Sequence, residues 1–127
     1  MKLNMSTSVS LLAILFFTFH VTDDILRNQN GAGQGGVLNI LALLTLIVWL
    51  YGILMLAEQR SGHIINAVFS FLASVPAVLH MTGWGDTVVG EIAKSSGAFF
   101  VWVVVALGVT GITSLIFSVQ GLRGQSR

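Results

Sequence analysis

Four long, predominantly apolar runs, at 8–25, 37–57, 64–81 and 98–119, occupy most of this 127-residue chain. A helix of about 20 apolar residues crosses a hydrocarbon core. Inside lipid every backbone N–H and C=O must find its partner within the protein, and a single long apolar run achieves that only as a helix. The prediction is therefore an all-α integral membrane protein, a four-helix antiparallel transmembrane bundle forming one domain. Composition agrees, since 54% of residues are hydrophobic and 9% are charged, whereas soluble domains carry about 25% charged residues.

The same numbers exclude several classes of function. With four spans and short connections, little chain remains for a separate catalytic domain. The net charge is +1 and the six Lys and Arg are scattered, which is no footprint for nucleic acid. Cysteine is absent, so disulfides, thiolate metal sites and cysteine nucleophiles are excluded. No phosphate-cradling glycine loop and no nucleophile elbow occurs. Lys2 followed by an apolar run resembles the start of a secretory signal, but no small-x-small cleavage pattern follows, and the first span is expected to be retained.

The connections set the topology. Asn28 to Gly36 reads as a polar, glycine-rich loop, and Glu58-Gln59-Arg60-Ser61-Gly62 as a tight turn that makes the second and third helices antiparallel neighbours. The third connection runs from Trp84 to Ser96, with room for one short helical turn at 88–93. Lys2, Arg60, Arg123 and Arg127 fall on one side of the resulting bundle, and Arg27 and Lys94 on the other. The excess of basic residues favours both termini in the cytoplasm, as in a bacterial inner (plasma) membrane. The four-span plan is shared by several unrelated small bacterial membrane families, and no motif ties the chain to one of them.

The third span carries a polar stripe. At 100° per residue His63, Asn66, Ser70, Ser74, Ala77 and His80 share one face, while the other positions are apolar. Seventeen residues separate the two histidines, which is about 25 Å of helix and close to the hydrocarbon depth. Small and hydroxyl residues at this spacing let helices approach and hydrogen-bond. A stripe from surface to surface also fits a minimal proton or solute path, although no carboxylate or lysine stands at its middle. Pro76 lies at the edge of this face and removes the bond to the Leu72 carbonyl.

A second constellation lies where the first and third spans end together. His20 and Asp24 stand four residues apart on one helical face, and Asp23, His80 and Asp86 are placed at the same membrane side. Two imidazoles with carboxylates suit a transition metal, with His20, Asp24, His80 and Asp86 as candidate ligands. Two histidines from different helices also suit a haem. Met81 adds one soft ligand, and no local H-x-x-H pair occurs.

The remaining spans read as packing surfaces. Ala42, Thr45, Trp49 and Gly52 share a face of the second helix, and Gly108, Gly111, Ser114 and Ser118 form a small-residue strip on the fourth. The expected function is thus that of a small non-enzymatic accessory or scaffold protein acting through helix–helix contacts, alone, as a homo-oligomer or within a larger membrane complex. The alternatives are a metal- or haem-binding protein and a small proton or solute transporter.

Overall fold

The computed structural model describes residues 4–28, 35–82 and 89–125. Within them the chain forms four helices, α1 (Met5–Asn28), α2 (Gly35–Met55), α3 (Arg60–Thr82) and α4 (Val89–Gly124), and no strand occurs among the described residues. Three segments are long and apolar enough to cross a membrane: Met5–Leu26, Arg60–Thr82 and Gly97–Gly124. The described apolar part of α2, Ile40–Met55, is shorter.

The ends of the helices have local causes. α1 starts a turn earlier than the apolar run because Asn4 caps it, accepting a bond from the Thr7 backbone N–H on Oδ1 at 2.8 Å. α2 includes Gly35 and Gly36 in its first turn, so the glycine-rich loop is shorter than its composition predicts. Residues 29–34 of that loop lie outside the described residues. The α2–α3 turn closes with a bond from the Gln59 N–H to the Leu56 carbonyl at 2.9 Å. It folds so tightly over α3 that a Cβ at Gly62 would strike the Leu56 carbonyl. α3 runs through Pro76 as one helix. α4 is interrupted at Gly97, whose φ of 77° is open to glycine at little cost. The short interfacial turn expected near 88–93 is therefore a helix from Val89 up to this break.

The order around the bundle is α4, α1, α2, α3 and back to α4. α3 and α4 share the largest interface, α1 touches all three others, and α2 and α4 do not meet among the described residues. The small-residue strip of α4 explains the closeness of α3. A Cβ on Gly108 would come 2.8 Å from the Ala77 methyl, and one on Gly111 would come 2.6 Å from Ser74 Oγ and 3.2 Å from the Ser70 carbonyl. At the core Ala13, Trp49, Ile53, Ala73 and Leu107 are buried, with Phe17 and Phe69 packed against them. The outward faces are apolar: Ile47, Trp102 and Val109 are 63%, 60% and 62% exposed.

Hydroxyls not used between helices are turned back onto their own. Thr18, Thr22, Thr110 and Thr113 each donate to the carbonyl four residues earlier, at 2.7–2.8 Å. Each hydroxyl is thereby satisfied within its own helix.

Candidate functional site

Two polar regions are built inside the bundle, at opposite ends. The end holding Asn4, the α2–α3 turn and the α4 C-terminus is tied by Gln125, whose side-chain amide donates to the Glu58 carbonyl at 2.6 Å. Just inside this end lies Asn66, and each of the four helices contributes to what surrounds it.

Asn66 Oδ1 accepts from the Trp49 indole N–H at 2.7 Å. Its amide nitrogen lies 2.9 Å from Ser10 Oγ, 2.6 Å from Ser118 Oγ and 3.1 Å from Ser114 Oγ. Ser70 Oγ donates to Ser114 Oγ at 2.8 Å, and the Ser10 and Ser114 oxygens are 2.7 Å apart. The Ser10 hydroxyl donates to the Ser6 carbonyl and that of Ser118 to the Ser114 carbonyl, each at 2.8 Å. Following the shortest contacts, one pattern spends every proton, with Asn66 Oδ1 as a longer alternative acceptor for Ser70 and Ser114 at 3.4 and 3.3 Å. The Asn66 amide donates to Ser10 and Ser118, Ser70 donates to Ser114, and Ser114 donates to Ser10. Each of these groups is buried, and Trp49, Ser70, Ser114 and Ser118 are fully so. The result is a saturated circuit linking four helices.

A cleft of about 40 Å³ leads from the Asn4 end to this hub, lined by Asn4, Thr7, Ser10, Gly52, His63 and Asn66 among others. It is large enough for a water molecule. His63 is half-buried and packs over Gly121, where a Cβ would collide with its ring. Ser74 donates to the Ser70 carbonyl at 2.8 Å. Beyond it the stripe meets the α4 glycines, and Ala77 packs with Phe100 and Val104.

The opposite end is differently made. His20, ten residues or about 15 Å further along α1, is 5% exposed. Its Nε2 lies 3.4 Å from Asp24 Oδ2. Its Nδ1 is buried without a hydrogen-bond partner. The ring stacks on Phe100, with centroids 5.4 Å apart and planes at 24°, and meets the His80 ring edge-on at 5.7 Å. Nearby, Phe19, Thr22, Asp23, Leu26 and Phe99 line a surface groove of about 200 Å³ between α1 and α4.

The structure thus brings His20, Asp24 and His80 to one end. Asp86 and Trp84 lie outside the described residues. Among the described residues no three His, Asp or Glu side chains gather as a metal-binding group. Of the third-span stripe, Asn66, Ser70 and Ser74 are buried against α4, while His63 and His80 mark opposite ends. Sequence reasoning placed Trp49, Ser114 and Ser118 on packing faces and missed that they close, with Ser10, on Asn66. The available signal was an apolar-span Asn with hydroxyls on two other helices and an indole on the third.

A four-helix protein with an apolar exterior and a polar hub is the class this fold defines. Compared with family models, curated proteins and solved structures, the chain matches none.

Proposed function

We propose that the chain is a small integral membrane protein that acts without catalysis, as an accessory or scaffold held rigid by its Asn66 hub. The observation that supports this most directly is the division of polarity. Outward side chains such as Ile40, Leu44, Ile47, Val109 and Ile116 are exposed and apolar, a surface no monomer in water keeps over so large an area. The polar groups around Asn66 are spent on one another. A circuit with no spare donor is suited to fixing helices, and less suited to passing protons or solutes. Both termini face the cytoplasm in this reading, by the excess of Lys and Arg on their side, and the membrane is a bacterial plasma membrane.

The test is made on the full chain expressed in a bacterium. Resistance of the membrane-bound protein to alkaline carbonate is expected, and release into the wash would end the membrane reading. Photo-crosslinkers at Ile47 and Ile116, on the outer faces of α2 and α4, are expected to yield a discrete protein adduct at one face, with this chain or another. Lipid adducts alone at both positions would overturn the scaffold reading and leave a monomeric protein in lipid.

A further inference from the structure

We propose that His20 and His80 bind a single divalent first-row transition-metal ion, with Asp24 holding the His20 ring rather than ligating. The placement of the proton on His20 comes first. A carboxylate only accepts, so the nitrogen facing Asp24, Nε2, carries the ring proton. Nδ1 is then a bare lone pair, and it is the buried atom that no protein donor satisfies. A buried acceptor left in that state is costly, and among the described residues Nδ1 is the only buried side-chain N or O atom left without a partner. A carboxylate behind one imidazole nitrogen, with the other nitrogen open, is the arrangement that orients metal-bound histidines and raises their basicity.

His80 supplies the second nitrogen. Two imidazoles that share one ion through bonds of about 2.0–2.1 Å have ring centroids roughly 5–6 Å apart; the rings here stand 5.7 Å apart with planes at 70°, so the separation fits and binding requires a His80 nitrogen to turn toward His20 Nδ1. Imidazole donors suit zinc, copper and nickel, and for a given nitrogen site copper(II) binds most tightly of the divalent series. Two protein ligands leave further positions for water or an incoming ligand. A haem fits this place less well, because its plane would have to wedge between rings already in contact and displace the Phe100 ring stacked on His20. The site stands whether or not the chain is a scaffold.

Copper(II) is added to the full-length protein in detergent, and binding is read by elemental analysis after desalting and by electron paramagnetic resonance. The expected result is one ion per chain, with hyperfine structure from two nitrogens in the unaltered protein. His20→Leu and His80→Leu each reduce the coupling to one nitrogen and weaken binding at least 10-fold. Asp24→Asn keeps both nitrogens and weakens binding about 10-fold. His63→Leu, at the far end, changes nothing. The unaltered protein alone keeps the proposal falsifiable if a variant does not fold. No stoichiometric copper, copper that persists after loss of both His20 and His80, or a haem absorption band in the purified protein would each overturn it.

Discussion

The Asn66 hub and the His20 end hold the same kind of atoms in the same bundle, yet one is complete and the other is not. Asn66 and the five side chains around it, drawn from four helices, give every proton an acceptor. Around His20, an aromatic stack and a single carboxylate leave Nδ1 with nothing to accept. Both sites are buried, so burial does not separate them. What differs is the surplus. A hub with no surplus valence stabilises and specifies the packing of helices, whereas a buried nitrogen with an unused lone pair lowers stability and stays open to a ligand. Polar residues inside a membrane protein are commonly treated as one class of functional marker. This chain separates them by counting donors and acceptors.

The sharpest way to break the comparison is Asn66→Leu. It strands the Trp49 N–H, removes the donors to Ser10 and Ser118, and places a branched apolar side chain among hydroxyls. The expected loss is about 3–5 kcal/mol, seen as a large fall in thermal midpoint in detergent or as failure to accumulate. A stable, fully folded Asn66→Leu protein would mean the hub is decoration.

Gly111→Val comes next. Its side chain must displace Ser74 Oγ and also meets the Ser70 backbone carbonyl, which cannot rotate away. α3 and α4 move apart, with a cost of about 2–3 kcal/mol. The sharper expectation is selectivity: cross-linking between cysteines introduced on outward positions of α3 and α4 should fall, while α1–α2 cross-linking is unchanged.

Trp49→Phe keeps an aromatic ring and removes the donor. Asn66 Oδ1 then has only Ser70 Oγ and Ser114 Oγ within reach, at 3.4 and 3.3 Å, and both are engaged elsewhere. A loss of about 1–2 kcal/mol is expected in the same thermal scan. No loss at all would show that the indole contributes packing against Phe17 and Phe69 and that its N–H is dispensable.

How far these two sites could be read from the sequence also differs. Run length and turn composition placed the four helices to within a few residues, apart from the extension of α4 back to Val89. Helical periodicity put Asn66, Ser70 and Ser74 on one face of α3, Ser114 and Ser118 on one strip of α4, and Trp49 on a packing face of α2. Periodicity fixes an angle around a helix but not its height against a neighbour, so the meeting of Ser10, Trp49 and Ser114 at Asn66 could not be derived. The convergence of His20 and His80 was legible for the opposite reason. Both sit at helix ends, and up-and-down topology alone sets their height. The start of α1 was misjudged because an N-cap such as Asn4 adds a polar first turn that hydropathy does not register. The Gly97 break in α4 was hidden because Ser and Gly before an apolar run read as loop.

His20→Leu carries the smallest expected effect and bears most directly on the contrast. Leucine fills a similar volume beside Phe100, and the Asp24 carboxylate is already half-exposed to water. The change also removes the buried lone pair. Gain and loss are of similar size, so stability should stay within about 1 kcal/mol of the parent, in either direction. A histidine that served the fold would behave like Asn66 and cost several times more. If the thermal scan of metal-free His20→Leu shows a loss above about 2 kcal/mol, the His20 end is a second structural hub whose remaining partner is a buried water, and the distinction between the two ends collapses. A neutral or stabilised variant means the fold keeps at this position a group it does not need for its own stability.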